Sequence, residues 1–584
     1  MDRIAQLTTR PAGREIAYDP AAAPPSLQVR AAQVLEANWT GKSTVPSRSL
    51  YPHQWSWDSA FIAIGLRHLS PLRAQTELET LLAAQWADGR IPHIVFNPSV
   101  PLDAYFPSPD FWRSSTAGSA AGAPRTVQTS GIVQPPVHAL AAWLVHLADP
   151  GLSRARGFLA RAYPRLAAWH RYLLRRRDLG GGGLVSVVHP WEQGMDNSPC
   201  WDRPLSRVTP APARSFRRAD LDHGAPEDRP TDLDYGRYVR LAADYRDAGY
   251  ADGPYREATA GRGPDGFAGS RAGGSAGSGA GGSAGSGAGG FAGSGPGSPA
   301  DSGAGGSADS GPGSPADSGA GGSAESGTGG SADSGPGSPA ESGTGGSADS
   351  GPGSPAESRP GGSAGSGPGG FAVEDPAFNA LLIASEYALA RIAHELGAAA
   401  QARQARAERL TAALVERLWD PAAGMFLCRD VRAGELIPER GVSGLVPLLL
   451  PTLPRDLAAT LVRTMCGPHF GLGGATRLVP SYDLLGEAFD PHRYWRGPAW
   501  FNTNWLLERG LRLHGERGRA DALRKGMLHT AGASDFAEYV DPYTAQACGA
   551  TGFGWTAALT LDLLHDRPAG DRNGVTAIKG GDLG

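Results

Sequence analysis

Acidic side chains set among tryptophans are the first feature of this chain that could do chemistry. His189–Asp202 reads HPWEQGMDNSPCWD and gathers Trp191, Glu192, Asp196, Trp201 and Asp202 in one short loop. Loop acids are common, but solvated loops rarely carry this much tryptophan. Tyr51–Leu66 reads YPHQWSWDSAFIAIGL and places Asp58 beside Trp55 and Trp57. Asp58 stands where a helix begins. It is either a first-turn acid favoured by free backbone amides or an acceptor for sugar hydroxyls. Arg493–Leu507 reads RYWRGPAWFNTNWLL and holds Tyr494, Trp495, Arg496 and Trp500. A fourth segment, Glu538–Leu564, opens with Glu538 ahead of an Asp-Pro turn. QWADGRIPH (Gln85–His93) and SGIVQPP (Ser130–Pro136) complete the set.

Aromatic faces beside carboxylates suit carbohydrates, whose C–H faces pack on rings while their hydroxyls seek acceptors. Cleaving the acetal between a sugar and its neighbour requires a proton on the leaving oxygen and an attack on the anomeric carbon. Two carboxyl groups held in different protonation states perform both tasks. Tryptophan walls favour that division, because they limit hydration of a charged acid and raise its pKa. By residue type alone, Asp196 and Glu538 are not separable from ordinary loop acids.

These loops need a scaffold. Helical periodicity predicts about a dozen helices, among them Leu27–Asn38, Trp57–Arg67, Pro71–Trp86, Pro136–Leu147 and Leu152–Arg175. Leu233–Asp247, Asp375–Leu396, Ala399–Leu418, Pro454–Met465, Trp500–Leu513, Arg519–Ala531 and Gly554–Leu564 follow. β-type alternation is scarce. The pattern predicts an all-α protein of helical hairpins arranged in a ring. From about Gly261 to Gly370 the chain is Gly, Ser, Ala and Pro in units such as GPGSPADS, with almost no apolar residue to stack. Such a composition predicts disorder. Strongly helical flanks make it an insert within one domain: residues 1–260 and 371–570 are expected to form two parts of one catalytic barrel. Residues 571–584 are expected to be a flexible tail.

The formal charge of −4 over 584 residues argues against nucleic-acid or membrane-surface partners. No apolar stretch reaches the length of a membrane span, and MDRIAQLTTRPAGREIAYDP has no signal-peptide core. A cytoplasmic location is expected. Cys200, Cys428, Cys466 and Cys548 are widely spaced and lack metal-ligand spacing, so reduced thiols are expected, with no metal and no cofactor. The same lack of Cys/His ligands, and of an Asp-rich run, sets aside zinc-dependent and terpene cyclases built on helical barrels.

In this setting the motifs resemble glycoside hydrolase family 63, in particular its bacterial mannosylglycerate and glucosylglycerate hydrolase branch. A related pattern occurs in family 37 trehalases. The shared elements are WDSAF (Trp57–Phe61), GRIPH (Gly89–His93), QPP (Gln134–Pro136), WEQGMDNSP (Trp191–Pro199), RYWRGPAW (Arg493–Trp500), EYVDP (Glu538–Pro542) and GFGWTAA (Gly552–Ala558). They stand in the family's order. The resemblance implies an (α/α)6 barrel and an inverting mechanism, with Asp196 as general acid and Glu538 as general base. It implies that Asp58 holds the sugar. Tyr51, Trp55, Trp57, Gln134, Trp191, Glu192, Tyr494, Trp495, Arg496 and Trp500 are expected to bind substrate around it. The chain departs from the family at Gln193, where a small residue is usual, at Cys200 in place of Arg, and at Phe501 in place of Pro. Two other readings stay open: an α-glucosidase or trehalase-like enzyme, and a non-catalytic carbohydrate-binding barrel. The sequence leaves the sugar, the aglycone and the oligomeric state undecided.

Overall fold

The computed structural model describes residues 25–222, 226–252 and 370–565. Residues 261–369 of the expected insert and the expected tail at 571–584 lie outside the described residues.

Twelve longer helices carry the architecture: α1 (Leu27–Ala37), α2 (Ser56–Leu66), α3 (Pro71–Ala83), α4 (His138–Ala148), α5 (Phe158–Arg176) and α6 (Asp232–Asp247) precede the insert. α7 (Pro376–Glu395), α8 (Gln401–Leu418), α9 (Arg455–Cys466), α10 (Phe501–Leu513), α11 (Arg517–Ala533) and α12 (Gly554–His565) follow it. The periodicity locates all twelve. Pro71 occupies a first helical turn as expected, whereas Pro136 and Pro454 stand just ahead of their helices. The single helix expected over Leu152–Arg175 is two pieces. Gly157, at φ +60°, separates Pro150–Ala155 from α5. An eight-residue 3-10 run, Val442–Leu449, is not anticipated by the pattern; its apolar residues show neither period.

Two kinds of helix are present. Every residue of α2 is buried, and α4, α7, α10 and α12 are buried on nearly all sides. A helix apolar all round must be enclosed. α5 and α9 instead bury one stripe and expose a charged face. Packing follows the same division. α2 packs on α4, α4 on α7, α7 on the 3-10 run, that run on α10, α10 on α12, and α12 on α2. The amphipathic helices cover these: α1 lies on α12, α3 on α2, α5 on α4 and α7, α8 on α7, α9 on the 3-10 run, and α11 on α10. Contacts of α7 with α4 and α5 join the segments before and after the insert. Gly65 permits a close helix–helix approach, since a Cβ there would stand 2.2 Å from the carbonyl oxygen of Ala558 on α12.

Strands are two residues long and lie in the loops. Gln54–Trp55 pairs with Ile94–Val95, and Tyr539–Val540 pairs with both Ala499–Trp500 and Ala547–Cys548. Gln54–Trp55 leads directly into α2 and Ala499–Trp500 into α10. These clips therefore fix the loops at the N-terminal ends of enclosed helices, where unpaired amides favour negative charge. Among the described residues no helix is long and apolar enough to cross a membrane.

Candidate active site

A pocket of about 810 Å³, counting its open mouth, lies among these loops. Its wall contains nine of the thirteen expected site residues: Tyr51, Trp55, Trp57, Asp58, Gln134, Trp191, Tyr494, Asp196 and Glu538.

Glu538 is buried and well supplied with donors. The hydroxyls of Tyr51 and Tyr494 donate to its Oε1 at 3.0 and 3.2 Å, and the Ala550 amide donates to Oε2 at 3.2 Å. Burial raises its pKa above the usual value, and the nearby Arg229 guanidinium and these three donors offset part of that rise. Asp196 has different company. Burial by the pocket wall pushes its carboxyl up to about 7, against the lowering effect of Arg229, and Glu538 adds to the rise. Among the described residues no side chain donates a hydrogen bond to its carboxyl. Asp58 sits in the first turn of α2. Its pKa is raised well above the usual range by burial and by the charge of Glu538.

The acid loop is shaped by local geometry. His189 caps the short helix Pro190–Gln193, and Gly194 turns the chain at φ +81°. A Cβ on Gly194 would come 2.6 Å from the Trp57 indole, so the backbone passes flat against a pocket tryptophan. Gln193, a departure from the family, is buried. Its Oε1 accepts from the Met195 amide at 2.9 Å, and its Nε2 donates to Asp375 at 3.3 Å. The Cys200 thiol, another departure, is buried and donates to Ser198 Oγ at 3.3 Å. Gln134 accepts from the Trp57 amide at 3.1 Å, tying two wall segments together.

Four expected binding residues are not in the wall. Glu192 points away into a dry ion pair: Arg177 Nη1 and Nη2 donate to its two oxygens at 2.7 and 2.8 Å, and neither side chain is exposed. The amides of Val188 and Val133 complete its acceptors. Arg177 also pairs with Asp252 at 2.7 Å. Arg496 is committed to Asp202, with Nη1 to Oδ2 at 2.9 Å. Trp495 and Trp500 stack on each other with centroids 3.8 Å apart, and Trp500 stacks on Tyr539 at 4.6 Å. They form a layer behind Tyr494, whose ring meets Trp500 edge-on at 5.0 Å. A buried carboxylate needs a partner, and large rings need contacts on both faces. These demands turn Glu192, Trp495 and Trp500 inward, while Arg496 is turned toward the half-exposed Asp202.

The wall also holds residues that the sequence reading passes over: Tyr105, Asp220, Arg229 and Tyr235. Arg229 is buried, with its guanidinium 4.8 Å from the Tyr494 ring centroid. Among the described lining residues it is the one Arg or Lys. Arg218 holds its loop by donating to Asp220 and to the Pro230 carbonyl. No period or aromatic cluster marks that stretch, which reads as a charged surface loop. His93, Phe553 and Trp555 also line the pocket. They fall within GRIPH and GFGWTAA, so the motifs point to their segments without naming their role.

Similarity to known proteins agrees with this geometry. The sequence matches the family described as "Mannosylglycerate hydrolase MGH1-like glycoside hydrolase domain" over residues 51–262 and 336–556. It is 34% identical to a mannosylglycerate hydrolase of Rubrobacter radiotolerans, covering 92% of this chain and 96% of that one. It is 32% identical to a glucosylglycerate hydrolase of Mycolicibacterium hassiacum, covering 94% and 99%. A crystal structure of the GH63 mannosylglycerate hydrolase from Thermus thermophilus, in complex with Tris and D-glycerate, superposes with a TM-score of 0.66 at 31% identity. It covers 92% of this chain and 100% of that one. The chain is thus a glycoside hydrolase with an α/α-type glycosidase fold and belongs to the mannosylglycerate hydrolase-like group of glycoside hydrolase family 63.

Proposed function

We propose that this enzyme hydrolyses a small α-glucoside or α-mannoside of glycerate with inversion, Asp196 acting as general acid and Glu538 as general base. The observation that carries the reading is the contrast between two carboxyls in one pocket. Asp196, pushed up to about 7, keeps its proton in about half of the molecules at neutral pH, far more than an ordinary aspartate does. Glu538 receives three hydrogen bonds that favour its charged form, with Arg229 nearby. Asp196 passes its proton to the glycosidic oxygen as that bond breaks. Glu538 takes a proton from the water that attacks the anomeric carbon from the opposite face. Inversion needs room for that water, a carboxyl separation of about 6.5–9.5 Å. Asp58, whose carboxyl burial and Glu538 raise well above its usual range, donates to or accepts from a sugar hydroxyl.

Two relatives named above act, by their names, on mannosylglycerate and glucosylglycerate. Glycerate carries a carboxylate, and Arg229 supplies a cation in the wall for it. This favours a glycerate glycoside over trehalose or an oligosaccharide, whose leaving groups are neutral.

The scaffold belongs to the same proposal. The sequence of contacts from α2 through α4, α7, the 3-10 run, α10 and α12 back to α2 supports an (α/α)6 barrel. Residues 1–260 and 371–570 then form one catalytic domain around the insert, and the enzyme works in the cytoplasm.

Asp196→Asn and Glu538→Gln test the chemistry. Each is expected to lower turnover of mannosylglycerate or glucosylglycerate by at least about 100-fold while sugar binding stays measurable. NMR of the first-formed sugar should show the β-anomer. Near-parent turnover by either variant, or retention of configuration, would overturn the assignment.

A further inference from the structure

The proposed acid is held by its backbone from two sides. Tyr238, buried on α6, donates its hydroxyl to the Asp196 carbonyl oxygen at 2.6 Å. The Trp201 indole donates to the preceding carbonyl, of Met195, at 2.8 Å. Peptide units are planar, so fixing these two oxygens fixes the orientations of the peptide planes on either side of the Asp196 Cα. That decides where its carboxyl points. Left-handed Gly194 lies two residues upstream, so the loop has a hinge that these donors restrain.

α6 is suited to this task. It follows Arg229 and Pro230, and it presents Tyr235 to the pocket one turn before Tyr238. The Tyr238 ring packs against Trp191 with centroids 5.9 Å apart and against His189 at 6.0 Å. A ring nitrogen of His189 lies 2.9 Å from the Tyr238 carbonyl, and its other nitrogen accepts from the Trp191 amide. Tyr238 is therefore locked to both ends of the acid loop, although it does not line the pocket.

We propose that Tyr238 is a positioning residue for the general acid: its hydroxyl holds the Asp196 carbonyl and thereby aims the carboxyl at the leaving oxygen. The inference rests on the reading of Asp196 as the acid. Without the hydroxyl the part-buried carbonyl loses its donor, and the loop rotates about Gly194 to find another.

Leaving groups distinguish positioning from mere support. A glycerate glycoside needs a proton on its departing oxygen. The α-glycosyl fluoride of the same sugar does not: fluoride leaves with the bonding pair, and water adds with loss of its proton to the base. In the full-length chain, Tyr238→Phe is expected to lower kcat on the glycerate glycoside by about 10- to 100-fold. KM should stay within about twofold, and kcat on the fluoride within about threefold. Incorporating 4-aminophenylalanine at position 238, which restores a donor, should recover most of the loss. Equal losses on both substrates, unchanged kcat on the glycoside, or no recovery with the amino analogue would each overturn the proposal. Asp196→Asn run alongside separates the two claims. If it does not spare the fluoride, the acid assignment itself fails. If it does and Tyr238→Phe does not, only the positioning role fails.

Discussion

Replacing Glu192 by Gln separates a structural carboxylate from a binding one. The side chain keeps its shape but loses its charge, and one acceptor becomes an NH2 facing the donors of Arg177 or of the Val133 and Val188 amides. Of the two charge-assisted bonds of 2.7 and 2.8 Å, one is lost and the other loses its anionic acceptor, in a pair with no exposed surface. Breaking a buried pair from one side costs about 3–5 kcal/mol. Arg177 retains Asp252 at 2.7 Å, so the lower end, about 3 kcal/mol, applies. For a domain of this size that corresponds to a fall in Tm of roughly 3–4 °C. Thermal unfolding of parent and variant at one scan rate checks it, together with KM and kcat on glucosylglycerate and mannosylglycerate. KM should change by less than about threefold, because Glu192 does not line the pocket. Removing both partners, in Glu192→Leu with Arg177→Met, should cost less than the sum of the singles, since neither charge is then left unpaired. An unchanged Tm with a roughly tenfold rise in KM would refute this placement and return Glu192 to the substrate.

The pH dependence follows from Asp196. With its carboxyl at about 7, kcat/KM should fall as pH rises through that value, because the acid loses its proton. The same shift affects stability. The folded pKa exceeds the ordinary value of about 3.9, so the folded state binds the extra proton, and stability declines as pH rises between these two values. Asp196→Asn removes the penalty and should melt higher than the parent at about pH 8, with the gap narrowing toward about pH 5; an equal gap at both would contradict the shift. Arg229→Met should raise KM for a glycerate glycoside by about 10- to 100-fold, the loss of a charged hydrogen bond, and much less for a glycoside with a neutral leaving group. Because Arg229 lowers the pKa of Glu538, the ascending limb of the profile should also move to higher pH. Equal effects on charged and neutral leaving groups would remove the glycerate role.

Much of the scaffold is legible because burial acts on patterns. SWDSAFIAIGL in α2 and HALAAWLVHLA in α4 are too apolar to be anything but enclosed, and α5, with FLARAYPRLAAWHRYLLRR, shows one stripe at helical spacing. The motif segments are legible too. Asp58, Asp196, Glu538, Trp55, Trp57 and Tyr494 come together although hundreds of residues separate them in sequence. The 3-10 run escapes because VSGLVPLL is apolar throughout and carries a proline, so no period could mark it.

What the sequence determined by itself was therefore the kind of chemistry and the segments that carry it, since residue type and local periodicity are properties of neighbours along the chain. Only the tertiary structure decided which side of each loop faces the pocket. Glu192 and Asp196 stand four residues apart in one motif. The first is drawn inward by Arg177, whereas no side chain donates a hydrogen bond to the carboxyl of the second among the described residues. Tyr494, Trp495 and Arg496 are consecutive, yet only Tyr494 reaches the wall: Trp495 is taken by Trp500 and Arg496 by Asp202. Arg229 is the converse, a residue in a featureless charged loop that folding places against Tyr494. The physical reason is common to all three. A buried charge or ring goes where its partner is, and local periodicity does not say where that partner will stand.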